Sequence, residues 1–367
     1  MFRFATLVLA MVIAGLSRTT FAAAPTTAPA SLQDSVERGL TFLQKSSQDW
    51  LDGNNQLGTA NGHPVFIKPA KVTYCASCHH LPITIWCMTE AKNHGLAVDE
   101  KSLNYFREWS LDTYVKDPDL KPVGQDKFGG SVLSLNTIYL SFAAAADPSP
   151  DEATRSALKK FAAHVIDKQE ADGSWKAGRT GYEPPIGDVT DVLTMQALLV
   201  LATAQEKGQT DDRWPQARDR ALQWLSKNPS SDRHQSLALR VLIAQRLGTP
   251  EEMHTLVKQL VERQNPDGGW SQVKDLTSDA MATGQSLYVL NQVSADIENK
   301  AAVESAQAFL LKTQRADGSW WVTSREKGRK SLASSVYGSG WATLGMIRTM
   351  PAAAAKAVEQ TGRAGDE

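Results

Sequence analysis

A seven-residue phrase, Gln-x-x-Asp-Gly-x-Trp, occurs three times in this chain and limits the folds that the chain can adopt. The copies are Gln169–Trp175, Gln264–Trp270 and Gln314–Trp320. An apolar pair lies three and four residues before each Gln, which is typical of one face of a helix that ends at the Gln. Asp-Gly then ends the helix and turns the chain. We therefore assign all six Gln and Trp residues a structural role, as markers of a repeat.

The spacing of the three phrases indicates how long the repeat is. The Trp residues at 175, 270 and 320 imply a unit of about 50 residues, with one copy of the phrase missing between the first two. The missing unit is visible as helical patterns over residues 217–228 and 235–247. Each unit then consists of an outer helix, a loop and an inner helix with small side chains. We expect Ser, Thr or Asp to cap each inner helix.

Two further helical hairpins precede the first phrase. One pairs residues 31–45 with 82–94, and the other pairs residues 102–115 with 131–146. Six hairpins result, which begin near residues 31, 102, 153, 217, 252 and 300, and no stretch shows the sustained alternation of a strand. The predicted fold class is all-α. We expect the six hairpins to close into an (α/α)6 toroid around a central cavity, with an open superhelix as the alternative.

The repeated phrase resembles the repeat of squalene–hopene cyclases and of the related prenyltransferase β-subunits. The resemblance covers about residues 31–350. It implies an (α/α)6 toroid whose central cavity is apolar and suited to isoprenoid chains. Full-size squalene cyclases contain two such domains, whereas this chain has room for one.

The ends of the chain differ in composition from the repeats. Residues 1–24 have the pattern of a secretory signal peptide: Arg3, an apolar stretch and then small residues. Residues 25–30 form a linker, residues 31–350 the repeat domain and residues 351–367 a tail. We expect a secreted or periplasmic protein, without a transmembrane span in the mature chain. A formal net charge of −1 without a long basic run argues against nucleic acid as a partner.

The strongest chemical motif is Cys75-Ala-Ser-Cys78-His79. In a C-x-x-C-H motif, two thiols attach to the vinyl groups of haem c and the His ligates the iron. We therefore expect haem c as cofactor, held by Cys75, Cys78 and His79, with the sixth iron ligand unknown. The alternatives are a Cys75–Cys78 disulfide, or a zinc site completed by His80 or a distant ligand. The segment from residue 75 to residue 92 also resembles one found in exported planctomycete proteins with such repeats, which implies haem or redox use.

A second motif corresponds to the acid site of the squalene–hopene cyclases. These enzymes protonate their substrate with the central Asp of a D-V-D-D phrase at the start of an inner helix. The matching phrase here is Asp188-Val189-Thr190-Asp191, so that Thr190 occupies the position of the acid. A hydroxyl cannot supply a strong proton to an alkene. Catalytic residues are therefore unknown; Asp188, Asp191 and Asp279 are the acidic candidates, and we expect them to be helix caps or first-turn charges.

Large side chains on the inner helices are candidates to line the cavity. They are Trp86, Tyr139, Met195, Tyr288 and Trp341. Such side chains stabilise apolar or cationic ligands, although core packing would explain each of them equally well.

The sequence leaves two classes of function open. In the first, an exported toroid binds an apolar, isoprenoid-like ligand and has a redox or electron-transfer role through haem c, with a redox protein as a possible partner. In the second, a non-catalytic toroid binds a lipid, peptide or protein and a Cys75–Cys78 disulfide stabilises it. Thr190 disfavours a terpene cyclase, and the sequence does not decide whether the chain is an enzyme.

Overall fold

The computed structural model describes residues 31–52, 56–60, 63–68, 79–116, 133–176, 185–186, 189–293, 299–325 and 329–350. These residues contain twelve α-helices and four short strands. The helices are α1 (Leu32–Leu51), α2 (Leu81–Asn93), α3 (Glu100–Lys116), α4 (Leu135–Ala145), α5 (Glu152–Asp167), α6 (Thr190–Glu206), α7 (Trp214–Lys227), α8 (His234–Leu247), α9 (Pro250–Glu262), α10 (Ala280–Val293), α11 (Lys300–Thr313) and α12 (Leu332–Thr349).

The even-numbered helices form a closed inner ring. Each of them contacts the next, from α2 through α12, and α12 contacts α2 again. The odd-numbered helices pack outside this ring, and α1 contacts both α11 and α12. The fold is therefore an (α/α)6 toroid of six helical hairpins, as the sequence predicts. The outer helices also begin within a few residues of the predicted hairpin starts.

The two layers differ in how their helices are buried. The outer helix α9 buries only Leu256, Val257 and Leu260, which lie on one face. The inner helix α6 buries nearly all of its length, from Asp191 to Ala202. A helix with neighbours on several sides needs apolar or small residues all round, so the inner helices lack the one-sided pattern of the outer ones.

Each repeat phrase forms the same turn. The Asp carboxylate accepts a hydrogen bond from the N–H two residues later: Asp172 from Ser174 (2.9 Å), Asp267 from Gly269 (3.0 Å) and Asp317 from Ser319 (3.1 Å). The glycines that follow the Asp residues have φ between 85° and 94°: Gly173, Gly268 and Gly318. A Cβ at these glycines would lie closer than 3.0 Å to a carbonyl oxygen of the next outer helix. Only glycine meets both conditions.

The Gln of each phrase bonds the next outer helix. Gln169 Nε2 donates to the carbonyl of its own turn at 3.0 Å and to the Ala217 carbonyl of α7 at 2.8 Å. Gln264 makes the same pair of bonds with its turn and α11. Gln314 bonds the Ser35 carbonyl of α1 at 2.9 Å. The last phrase therefore joins the sixth hairpin to the first, which closes the outer layer.

The Trp of each phrase ties its own hairpin together. Trp175, Trp270 and Trp320 are 0%, 0% and 1% exposed. Each indole N–H donates to a carbonyl of its own outer helix: Val165, Leu260 and Leu310. Each backbone N–H donates to a hydroxyl on its own inner helix: Thr194, Thr283 and Ser339. The Trp of each phrase therefore links the two helices of its hairpin.

The caps of the inner helices differ in part from the prediction. Ser134 and Ser331 cap α4 and α12 through their side chains, and Asp279 accepts the N–H groups of Met281 and Ala282 in α10. The cap positions of the other three hold no Ser, Thr or Asp: His80, Val189 and Arg233. The expectation of such a cap on every inner helix is therefore wrong. The first turn of α2 contains a Pro instead, and a Pro lacks the N–H that a cap would bond.

Two antiparallel ribbons interrupt the helical pattern. β1 (Gln56–Ala60) pairs with β2 (His63–Lys68) between α1 and α2, and β3 (Val322–Ser324) pairs with β4 (Arg329–Ser331) before α12. The three-residue strands β3 and β4 offer too few positions for a visible alternation, and β2 contains the unbroken apolar run Val65–Ile67, so alternation did not indicate them. In the part of the chain that the structure describes, no helix combines the length and apolarity needed to cross a membrane.

Candidate functional site

A cavity of about 160 Å³ lies inside the inner ring, toward the carboxyl ends of the inner helices. All six inner helices contribute to its wall. Its lining comprises Trp86, Glu90, Tyr139, Phe142, Ala145, Ala146, Gln196, Leu199, Thr203, Glu206, Lys207, Leu239, Leu242, Arg246, Tyr288, Gln292, Trp341 and Arg348.

Aromatic rings dominate one side of this cavity. The Trp86 ring centroid lies 5.4 Å from that of Phe142, 5.5 Å from that of Tyr288 and 5.5 Å from that of Trp341. The contacts with Tyr288 and Trp341 are edge-to-face, the favoured geometry for aromatic pairs. The rings therefore support one another and present a stable apolar wall.

A buried polar network borders the cavity on the side of the helix amino ends. The hydroxyls of Tyr139 and Tyr337 are hydrogen-bonded to each other. Gln196 Nε2 donates to the Tyr139 hydroxyl at 2.8 Å, and Gln235 Nε2 donates to the Tyr337 hydroxyl at 3.3 Å. The four side chains come from α4, α6, α8 and α12, so the network holds these inner helices in one arrangement.

Charged side chains line the cavity at the carboxyl ends of the inner helices. Glu90, which is 2% exposed, pairs with Arg348 at 2.5 Å and also accepts the indole N–H of Trp86 at 3.3 Å. Arg246 pairs with Glu206 at 3.3 Å. The Arg348 guanidinium also lies 5.7 Å from the centre of the Tyr288 ring. The cavity is thus amphipathic: aromatic on one side and ionic on the other.

The candidates for the cavity lining fall into two groups. Trp86, Tyr139, Tyr288 and Trp341 line the cavity, whereas Met195 is buried in α6 and is absent from the lining. Nothing in the sequence marks Glu90, Arg246 or Arg348 as cavity residues. These residues lie in the last turns of inner helices, where a charged residue in a sequence resembles an ordinary solvated helix end.

Of the C-x-x-C-H motif, the structure describes only His79. Cys75 and Cys78 lie outside the described residues. His79 and His80 immediately precede α2, and their ring centroids lie 6.1 Å and 4.8 Å from that of Trp50 in α1. Burial lowers the pKa of His79 to about 3, so its imidazole is neutral at physiological pH. The described residues contain no group of three or more His, Cys, Asp or Glu side chains that could hold a metal ion.

The acidic candidates occupy different environments, although Asp188 lies outside the described residues. Asp191 belongs to the first turn of α6, and its carboxylate accepts bonds from Ser231 N (2.9 Å), Ser231 Oγ (3.0 Å) and Ser236 Oγ (2.7 Å). It therefore links α6 to the start of the next inner helix. Asp279 caps α10, and burial raises the pKa of its carboxyl to about 6. Neither Asp191 nor Asp279 lines the central cavity.

A second cleft of about 380 Å³ lies beside the start of α8. Its lining includes Arg263 at the end of α9 and the loop from Ser271 to Leu276. His234 also contributes, and its Nε2 lies 3.0 Å from the Ser286 hydroxyl. Burial, together with the charge of Arg263, lowers the pKa of His234 to about 3. His234 is thus a neutral core histidine that connects two inner helices.

Comparisons with known proteins agree with the all-helical toroid class. No protein-family model matches the sequence, and no curated protein matches it. Among solved structures, the unsaturated glucuronyl hydrolase from Bacillus sp. GL1 is similar with a TM-score of 0.61 at 13% identity, over 87% of this chain and 96% of that one. The type II terpene cyclase MstE from Scytonema is similar with a TM-score of 0.52 at 16% identity, over 86% and 98% of the two chains.

A third structure, of a possible GH105 family member from Klebsiella pneumoniae, gives a TM-score of 0.54 at 13% identity, over 92% of this chain and 98% of that one. At these identities the likeness shows the fold alone. The named neighbours include a hydrolase and a cyclase, so the fold does not select a reaction.

Proposed function

We propose that this chain is an exported ligand-binding toroid whose central cavity takes one small molecule with an apolar body. The observation that carries the proposal is the aromatic wall formed by Trp86, Phe142, Tyr288 and Trp341 inside the closed ring. Concave aromatic surface with a few polar groups is the usual character of a small-molecule site.

The volume of the cavity limits the size of the ligand. A cavity of about 150 Å³ in another protein binds benzene, whereas drug-sized ligands occupy about 300–1,000 Å³. At about 160 Å³, this cavity fits one ring or a single isoprenoid unit in the arrangement described. A full polyprene chain such as squalene is much larger than this volume.

Binding of two apolar probes tests this proposal. We expect toluene and 3-methyl-2-buten-1-ol to bind the purified protein in calorimetric titrations and to raise its melting temperature. Ala145→Trp, which places an indole in the cavity wall, should abolish binding of both. Leu276→Trp is the matched control, because Leu276 is 39% exposed and lies outside the cavity. Absence of binding by the unaltered protein, or equal binding by Ala145→Trp, would refute the proposal.

We also propose a redox role, with haem c attached to Cys75 and Cys78 and its iron ligated by His79. The observation that favours it is the C-x-x-C-H motif downstream of an export signal. The environment of His79 fits this role, because a neutral imidazole is the form that ligates a metal and burial keeps His79 neutral. Trp50 packs beside His79 and His80 and limits their orientations. Haem would supply one-electron transfer.

Maturation with a haem c ligation system tests the redox role. Exported protein should be red and should keep its haem on a denaturing gel, whereas Cys75→Ala with Cys78→Ala should lose it. Cys87→Ala is the matched control, since Cys87 is buried in α2 and should leave the haem in place. His79→Ala should shift the Soret band, and His80→Ala should not. Colourless protein with a Cys75–Cys78 disulfide would support the alternative, a non-catalytic toroid with a covalent staple.

A cyclase function is not part of the proposal. The acid position holds Thr190, the first residue of α6. The neighbouring Asp191 carboxylate is held by three hydrogen bonds from Ser231 and Ser236. These bonds hold the carboxylate away from the central cavity, whose lining does not include Asp191.

A further inference from the structure

Two hydrogen-bond donors in the cavity wall have no acceptor among the described residues. They are the indole Nε1 of Trp341 and the Nε of Arg348. In the part of the chain that the structure describes, these two are the side-chain atoms of the lining that are buried without a hydrogen-bond partner. Both are donors, and no acceptor of the lining is left buried and unpaired in this way. Trp341 is 7% exposed, so bulk water does not compensate its N–H. Such a donor has lost the hydrogen bond that water gives it in the unfolded chain, and a ligand oxygen would restore one.

The two donors lie on the same face of α12. Residues 341 and 348 are seven positions apart, which is nearly two helical turns, so their side chains point in the same direction. Seven residues also separate their backbones by about 10 Å along the helix axis. A ligand that satisfies both donors therefore carries one acceptor at the ionic side of the cavity and another beside the aromatic wall.

The charges of the lining favour an anion at the ionic side. Glu90 and Glu206 are each engaged by one arginine, at 2.5 Å and 3.3 Å. The third cation of the lining is Lys207. It donates at 3.1 Å to the backbone carbonyl of Asp147, and a backbone carbonyl is uncharged. The lining thus has one positive charge in excess. Such an excess attracts an anionic group, and the unpaired Nε of Arg348 can donate a hydrogen bond to it.

We propose that the ligand of the central cavity is a small hydroxy- or oxo-substituted carboxylate with a flat, unsaturated or aromatic body. The carboxylate accepts from Arg348 Nε, and the second oxygen accepts from Trp341 Nε1. The flat body lies along the wall formed by Trp86, Tyr288 and Trp341. This inference rests on the proposed binding of a small molecule in the central cavity and names the chemistry of that molecule.

Four probes of matched shape test each part of this assignment by calorimetric titration. They are 4-hydroxybenzoate, its neutral analogue 4-hydroxybenzamide, benzoate and toluene. We expect 4-hydroxybenzoate to bind at least tenfold more tightly than 4-hydroxybenzamide and more tightly than benzoate. Its affinity should fall as the ionic strength rises, whereas that of toluene should not.

Two variants separate the contributions of the donors. Glu90→Gln combined with Arg348→Gln removes the ion pair as a whole, so that neither charge is left buried alone. It should abolish the preference for 4-hydroxybenzoate over 4-hydroxybenzamide, and near-ultraviolet circular dichroism like that of the parent shows that the variant is folded. Trp341→Phe keeps a ring but removes the N–H, and should reduce the preference for 4-hydroxybenzoate over benzoate about tenfold. Arg155→Gln, on the exposed face of α5, is the control and should change neither affinity.

The possible outcomes distinguish this inference from the proposed function. If toluene binds but 4-hydroxybenzoate is no tighter than the amide, the assigned chemistry is wrong and the cavity remains a binding site. If 4-hydroxybenzoate binds equally well to the Glu90→Gln, Arg348→Gln variant, its site lies elsewhere and the inference is overturned. If none of the four probes binds, both the proposed function and this inference fail.

Discussion

At the scale of single residues, the Trp of each repeat phrase makes two hydrogen bonds in addition to burying a large ring. Trp270 donates its indole N–H to the Leu260 carbonyl at 2.7 Å and its backbone N–H to the Thr283 hydroxyl at 3.0 Å. The ring itself is fully buried between the two layers. Burial should therefore dominate its contribution to stability, because a single neutral hydrogen bond contributes only about 1 kcal/mol.

We expect Trp270→Ala to lower the free energy of unfolding by about 3–5 kcal/mol, since it leaves a large cavity between α9 and α10. Trp270→Phe, which keeps most of the ring and loses the indole N–H, should cost less. The measurement is urea denaturation followed by circular dichroism. Tyr105→Ala serves as a control, because Tyr105 is 47% exposed. A Trp270→Ala protein as stable as the parent would contradict the structural role of the phrase.

Buried histidines should make the fold sensitive to acid. Burial lowers the pKa of His234 from an ordinary 6.5 to about 3. Between these two values the unfolded chain binds a proton that the folded protein does not, so stability falls as the pH drops from 6.5 toward 3. His234→Gln should therefore make stability depend less steeply on pH, as measured by urea denaturation at intervals from pH 7 to pH 4.

Asp279 serves as a control for this experiment, because its pKa shift changes stability in the opposite direction. The pKa of its carboxyl is about 6 in the folded protein, against an ordinary 3.8, so the folded protein binds the extra proton between these values. This group favours folding as the pH drops from 6 to 3.8. Asp279→Asn should thus steepen the acid-induced loss of stability. Equal slopes in both variants and the parent would show that neither group has the shifted pKa described.

At the scale of elements, the closest approach between inner helices is that of α10 and α12. A Cβ on Gly284 would lie closer than 3.0 Å to the Trp341 carbonyl, and one on Gly345 would lie closer than 3.0 Å to the Gly284 carbonyl. Glycines at these two positions allow the backbones to touch. Because Trp341 belongs to the cavity wall, the packing of this pair also determines the position of the wall.

Gly284→Ala should therefore destabilise the protein by about 1–3 kcal/mol through overpacking and should also weaken toluene binding by displacing Trp341. Thermal unfolding and titration with toluene measure the two effects. Gly208→Ala is a suitable comparison: its added methyl meets nothing within 4 Å, although the φ of 77° at Gly208 causes backbone strain. Gly208→Ala should lower the melting temperature without changing the affinity for toluene.

The elements differ in how well a sequence can indicate them. The six hairpins are predictable because the outer helices have one apolar face and end at recognisable turns. The links made by Gln169 are not, because its partner Ala217 is 48 positions away and a local pattern gives no sign of it. The same holds for the ionic side of the cavity, where Glu90 meets Arg348 across 258 positions. Aromatic residues on the inner helices were informative, since all four aromatic candidates line the cavity and Met195 does not.

At the scale of the whole molecule, Gln314 connects the two ends of the ring. Its side chain donates to the Ser35 carbonyl, and its amide oxygen accepts from the Ser35 hydroxyl at 2.7 Å and from Arg38 at 2.5 Å. Gln169 makes a similar set of bonds between α5 and α7, including one from Arg220 at 2.5 Å. The same chemistry thus operates at an internal position of the ring and at its closure.

This equivalence allows a matched pair of variants. Gln314→Leu and Gln169→Leu should each cost about 2 kcal/mol, because each leaves several partly buried polar groups unpaired. Hydrogen exchange should then separate them: Gln314→Leu should speed exchange in α1 and α11, and Gln169→Leu should speed it in α5 and α7. Faster exchange spread evenly over all helices in both variants would show that the ring does not open locally.

Because the first and last hairpins are in contact, the ring should form wherever along it the chain begins. Ser35 in α1 lies 3.8 Å from the Met346 sulfur in α12, so a short linker could connect Met350 directly to Ser31. A circular permutant built in this way, with new termini between Gln209 and Thr210 in the exposed connection of α6 and α7, would retain every contact between neighbouring hairpins. We expect it to fold, to bind toluene as the parent does and to show the same near-ultraviolet circular dichroism. The chain could then begin at any hairpin and form the same ring.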